Sequence, residues 1–205
     1  MKIINCKLKI LSKGITLVEI IIAIFIIGTL SLILISDFPK IQRQYALSSV
    51  TYKLAQDLRK TQDLGLSGVP IKDENGNLVS AKGYGIYINL SQSATQYLIY
   101  ADSCIPADRQ YTPPSISCPD GDYIIKPIID VSKQNQNLSI SGITDSFGGS
   151  YNSVSINFNP PNPTTTITTD TPLSGSEITI ILELKSDNSF RKVRINTSGL
   201  INVVQ

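Results

Sequence analysis

The 205-residue chain contains no histidine. That single absence removes the usual general base, the zincin ligand set and the Ser-His-Asp arrangement together. Cysteine is scarce at three residues, and Cys104 and Cys118, 14 positions apart with no histidine to join them, lack the tetrahedral donor set that zinc requires. Between Ile15 and Ile35 there is no Pro, Lys or Arg, so nothing in that span breaks a helix. No small-x-small site follows the apolar run, which also exceeds the roughly 7 to 15 residues of a cleavable secretory signal. Cys6 precedes the run instead of following it, which argues against a lipoprotein.

The span itself holds 21 residues, enough at about 1.5 Å each to cross a hydrocarbon core of about 30 Å. Ahead of it stand Lys2, Lys7, Lys9 and Lys13 with no acid. This bias keeps the amino terminus cytoplasmic and sends the rest of the chain outward, as a single-pass protein of the cytoplasmic membrane. One carboxylate, Glu19, lies inside the apolar stretch. A charge in hydrocarbon costs about 2.5 to 3.5 kcal/mol on insertion scales, so Glu19 needs a partner.

The residues Lys13-Gly14-Ile15-Thr16-Leu17-Val18-Glu19, followed by the uninterrupted apolar helix, resemble the processing site of type IV prepilins and pseudopilins. The resemblance implies that a dedicated prepilin peptidase and N-methyltransferase removes residues 1–14 by cutting after Gly14. Ile15 then becomes the methylated terminus, where that family usually has Phe. Glu19, in the fifth mature position, would pair with the terminal amine of a neighbouring subunit. The competing reading is an ordinary signal-anchor helix with Glu19 facing water. Loss of the leader takes four of 18 basic residues and none of 16 acidic ones, leaving 14 against 16 in 191 residues. Such a balance exerts no strong pull on nucleic acid.

Beyond the span, Leu47, Val50, Leu54 and Leu58 recur at three- and four-residue spacing, which predicts an amphipathic helix with one packing stripe. Lys53 with Asp57 and Arg59 with Asp63 have the spacing of helix-surface pairs. Gly65, Gly68 and Pro70 mark the stop. Pro39 interrupts the pattern and predicts a kink or local melt there, either a hinge or a simple boundary with a loop. The expected organisation is a leader over 1–14, a transmembrane and assembly helix over 15–38, an amphipathic continuation over 39–68, and a β-rich head over 69–205.

In the head, 84–89 and 96–101 flank a short polar link and predict a hairpin, with Asn75-Gly76 marking a turn upstream. Further strands are expected at 123–129, 138–143, 153–158, 177–184, 190–196 and 200–204. The Pro- and Thr-rich stretch 159–176 reads as a surface loop. Cys104 and Cys118 bound a segment too rich in Pro and polar residues to support itself. A disulfide there, closing a loop of about 15 residues, is worth roughly 3 kcal/mol in the chain-entropy model. Two free thiols are the alternative in a compartment that is not oxidising.

The segments LAQDLRKTQDLGLSG and FRKVRINTSGLINVV, with the early hairpin and the late Pro-rich loop, are similar to the H-class pseudopilins of type II secretion and to FimT-type minor pilins. The mid-chain cysteine pair favours a minor subunit, since many major pilins place theirs near the carboxyl terminus. That resemblance implies an α+β pilin fold, a long amino-terminal helix packed on an antiparallel β-sheet head, and a structural role without cofactor. The implied partners are other pilin or pseudopilin subunits, an inner-membrane assembly platform and membrane lipid, in a periplasmic or cell-surface filament. A membrane-anchored binding protein that never polymerises, or a minor pilin that takes up DNA, is the alternative function.

Three further patterns read as ordinary surface features. Ser189-Phe190-Arg191-Lys192 spells the S-x-x-K of serine acyl enzymes, but it falls on a strand-turn-strand and no K-T-G follows. Asp73-Glu74-Asn75-Gly76-Asn77 resembles half of a calcium loop, yet Tyr84 stands where the bidentate acid belongs. Asp120 and Asp122 read as solvated loop carboxylates. No catalytic residue and no metal site is therefore expected. Arg191, Lys192 and Arg194 form a small basic patch, a weak nucleic-acid candidate that a solvated edge strand explains as well.

Overall fold

Helix α1 runs from Leu17 to Ser67 without a break across Pro39. The computed structural model describes residues 14–72, 76–79, 81–104, 108–116, 118–119, 121–160 and 164–204. The loop boundary considered at Pro39 is thus replaced by helix on both sides, because the bond lost at its missing amide is one of many along a 51-residue element. The chain divides into two units, one ending at Ile41 and one running from Gln42 to Gln205.

In the second unit the expected stripe is buried: Leu47, Val50, Leu54 and Leu58, joined by Ala55. Thr51 and Thr61 also lie on this face, and each hydroxyl donates to the carbonyl four residues earlier, which satisfies it without a partner from another element. Asp57, read as a surface partner of Lys53, is instead buried and accepts from the Tyr97 hydroxyl at 2.8 Å.

Twelve strands follow α1 among the described residues. The short pair β1 (Ile71–Lys72) and β2 (Leu78–Val79) forms an antiparallel ribbon. Next come β3 (Gly83–Asn89), β4 (Gln96–Asp102), β5 (Tyr123–Asp130), β6 (Leu138–Asp145), β7 (Ser150–Tyr151) and β8 (Ser153–Asn159). The last four are β9 (Thr164–Thr169), β10 (Glu177–Leu184), β11 (Ser189–Asn196) and β12 (Ile201–Val204). They build two five-stranded sheets, ordered β5-β4-β3-β8-β9 and β12-β11-β10-β6-β7. All pairings are antiparallel.

The chain changes sheet three times. It leaves the first sheet after β5, returns at the single residue Asn152 between β7 and β8, and leaves again after β9. Alternation along β3, β8 and β10 sends Ile86, Ile88, Val154, Ile156, Phe158, Ile178, Ile180 and Leu182 to one side, where they join the α1 stripe in one apolar cluster. Each such side chain contributes about 1.5 to 3 kcal/mol on full burial.

Two more expectations change. The stretch 159–176 contains a strand, β9, whose Thr165 side is buried against β8; β-branched threonines suit a pleated edge even in a Pro-flanked segment. The basic residues 191–194 lie not on an edge but on β11, between β10 and β12.

The opposite face of the first sheet has its own packing. Gly85 pairs directly with Tyr100, and a Cβ on Gly85 would fall 2.5 Å from that ring. Glycine there lets the tyrosine lie flat across the neighbouring strand. Replacing Gly85 by Ala is expected to cost about 1 to 3 kcal/mol through overpacking. At Gly142, where an added Cβ meets only Ile181 Cδ1 at 3.7 Å, the same change should alter stability by about 0.5 kcal/mol or less. Urea unfolding of the two variants checks the contrast.

Candidate assembly helix and disulfide lobe

Gly14, Ile15 and Thr16 precede α1 in non-helical backbone. Thr16 caps the helix: its Oγ1 accepts from the Glu19 amide at 3.3 Å, and its carbonyl accepts from the Ile20 amide, also at 3.3 Å. Glu19 is therefore the third residue of the first turn, the acid position of a capping box and the place where the helix dipole favours negative charge. Both residues are exposed.

Every large apolar side chain from Ile15 to Ile35 is at least 49% exposed. These residues surround the helix instead of forming one stripe, which suits a medium that is apolar on all sides. The two other hydroxyls of the span are satisfied within it, Thr29 donating to the Ile26 carbonyl at 2.9 Å and Ser31 to the Ile27 carbonyl at 2.8 Å. This segment is long and apolar enough to cross a membrane. The Lys-rich residues 1–13, including Cys6, lie outside the described residues.

Cys104 and Cys118 are bonded, with Cα atoms 5.6 Å apart. The loop they close docks on the outer face of the first sheet. Tyr111 lies 4.8 Å from the Tyr87 ring and 5.4 Å, edge-on, from the Tyr100 ring, and its amide donates to Ser155 Oγ at 2.9 Å. Tyr100 is fully buried and shares its hydroxyl with Ser155 at 2.6 Å and Asn157 at 3.1 Å. Arg109 has a left-handed φ of 61° and donates its amide to Asp102 Oδ2 at 3.1 Å.

Asp122, expected in solvent, is buried in this lobe. Its Oδ1 accepts from the Ser103 and Cys104 amides and its Oδ2 from the Thr112 amide at 2.8 Å, so one carboxylate ties the start of the loop to its middle. Asp120 and the acids Asp73 and Glu74 lie outside the described residues. Gly76, with φ of 83°, sits in the β1–β2 connection. The residues missed by sequence reasoning are Asp102, Tyr100, Tyr111 and Gly85. Gly, Tyr, Asp, Ser and Asn recur on alternate positions of β3, β4 and β8, and that recurrence is the signal that could have found Gly85, Tyr100 and Asp102.

The basic patch is partly engaged. Arg194 Nε stands 3.8 Å from Glu177 Oε1, Lys192 Nζ lies 5.3 Å over the Phe190 ring, and Arg191 is half-buried. Ser189 opens β11 right after Asn188, whose φ of 48° makes the tight β10–β11 turn. The S-x-x-K therefore lies on a hairpin, where the lysine does not share a helix face with the serine.

No family model, curated protein or solved structure matches the chain.

Burial and the neighbouring Asp122 charge push the Asp102 carboxyl up from 3.8 to about 6, against the Arg109 amide, which lowers it. Asp108 adds to the rise and the Arg109 charge opposes it. Asp122 is raised too, by burial. A raised carboxyl binds its proton more tightly in the folded chain, so this stabilisation is complete below about 4 and is lost as pH climbs through 6. Asp130, Asp145 and Asp170 are shifted down and weaken the fold only at more acid pH. Thermal unfolding in chelator should therefore show a higher midpoint at pH 5 than at pH 7.5, and Asp102→Asn should flatten that difference.

Proposed function

We propose that this chain is a structural subunit of a pilin-like filament, of the type IV pilus or type II secretion kind, cut after Gly14 and polymerised through the first half of α1. The observation that carries the reading is a membrane-length apolar stretch, exposed on every side up to Ile35, whose one carboxylate stands in the first turn of α1. An isolated anchor gains from this acid only the first-turn dipole, about 0.3 to 1 kcal/mol against the larger cost of a charge in hydrocarbon, whereas a bundle of identical helices can neutralise it with the terminal amine of another copy. Non-helical backbone at Gly14–Thr16 supports the same reading, since a peptidase must bind an extended peptide. The second unit, with its own core, would stand outside the membrane and carry the subunit's surface identity.

The basic residues lend little support to nucleic-acid uptake. Arg194 faces Glu177, and the processed chain carries slightly more acid than base.

Mass analysis of protein from cells that contain the peptidase should find Ile15 as the first residue, bearing one extra methyl group. Retention of Met1 to Gly14 would overturn the proposal. Replacement of Glu19 by Gln should leave membrane insertion and leader removal intact and reduce recovery in sheared filaments by about tenfold or more, about 1.4 kcal/mol of coupling at that ratio. Equal incorporation of variant and parent would favour the solitary anchor.

A further inference from the structure

At the end of β4, strand alternation places Asp102 on the sheet face beneath the disulfide lobe, next to Tyr100 on the same side. Asp102 is 0% exposed. Its Oδ2 accepts from the Arg109 amide, but its Oδ1 is shut off from solvent and has no hydrogen-bond partner among the described residues. A buried carboxylate oxygen left in that state is costly unless a proton or a cation occupies it.

Two more carboxylates converge on the same place. Asp122 is buried and Asp108 is exposed, and each of the three acids offers an oxygen within 4.8 Å of the other two. Asp108 accepts from the Gln110 amide at 3.2 Å, from Gln110 Nε2 at 3.3 Å and from the Thr112 hydroxyl. Three acids meeting at a mostly dry point repel one another.

We propose that Asp102, Asp108 and Asp122 hold a hard divalent cation of the calcium class beneath the Cys104–Cys118 loop. Two oxygens on one calcium ion stand no more than about 4.6 to 5.2 Å apart, twice the usual bond length, and the three acids fall within 4.8 Å of one another, a spacing that small side-chain adjustments bring into reach of one ion. The donors are all oxygen. Both cysteines of the lobe are joined to each other and the chain has no histidine, which leaves zinc and copper without their preferred ligands. Asp108 gives the ion an entry from solvent, where water completes the six to eight oxygens that calcium takes. The disulfide holds the loop closed before the ion arrives, so less ordering accompanies binding. A proton on Asp102 is the competing occupant, and burial beside Asp122 makes it competitive near neutral pH.

The test uses the full chain in detergent, stripped with chelator and titrated with calcium chloride at fixed ionic strength. Calorimetry should find one ion per chain with a dissociation constant at or below about 1 mM, the upper range of extracellular modules. Calcium should also raise the unfolding midpoint at pH 7.5 and reduce or reverse the advantage of pH 5. Asp108→Asn, at an exposed position, should weaken binding by about tenfold or more through loss of one ligand charge. Asp102→Asn should abolish it. No heat at calcium concentrations of several millimolar, an identical response to magnesium and calcium, or undiminished binding by Asp108→Asn would each overturn the site. Stabilisation by acid alone, with no calcium response, would overturn the site and leave a proton on Asp102 as the answer to its burial.

Discussion

The head closes around one row of side chains, Leu47, Val50, Leu54 and Leu58 on α1, because both sheets bring their apolar faces to it. Neither sheet has another place to bury that face. Polar ties then fix how the helix lies against the second sheet: Arg43 Nε to Asp187 Oδ1 at 3.1 Å, Arg59 Nη2 to the Ile201 carbonyl at 3.2 Å, and Gln62 Nε2 to the Gly199 carbonyl at 3.0 Å. All three reach the β10–β11 and β11–β12 ends of that sheet, so the carboxyl-terminal hairpins and the second half of α1 form one packed layer. On the first sheet the Asp57–Tyr97 bond plays the corresponding role. Apolar burial supplies the driving force here, while the directional bonds select one register of helix on sheet.

A second constraint governs the outer face of the first sheet. Tyr100 lies over Gly85, Tyr111 covers Tyr100, and the disulfide loop is the segment that delivers Tyr111. A face that strand alternation alone would leave to water thus becomes a smaller interior, and its polar atoms must be satisfied from within. Ser155, Asn157 and the amides of the loop do most of this. Asp122 extends it by accepting three backbone donors, which ties residues 103–104 to residue 112 across the loop.

Two carboxylates in the chain face the same physical problem of charge removed from water, in opposite surroundings. Glu19 stands in the first turn of an apolar helix with open sides, and under the proposed function its counter-charge comes from another copy. Asp102 stands within a closed lobe, where a small ion can reach it past Asp108, so its counter-charge can come from solution. The capped helix terminus and the disulfide are the respective devices that hold each acid in position.

Much of this was legible in the residues. The 3.6-residue spacing of Leu47 to Leu58 and the two-residue alternation of the strands are local patterns, which is why the helix stripe, eight of the strands and the Cys104–Cys118 pairing could be read from the chain. The Thr-rich β9 escaped because a strand's partner decides its fate more than its own composition, and that partner, β8, binds it through a six-residue register. Whether β11 is an edge, where the chain changes sheets, and which face of β3 and β4 is wet are likewise questions about distant segments. Sequence by itself determined the elements, the apolar all-round helix and the lone acid within it, since these follow from neighbours a few residues apart. Only the tertiary structure decided that Asp102, Asp108 and Asp122 meet, because loop closure by the disulfide and docking on the sheet join positions up to 20 residues apart that no local spacing relates.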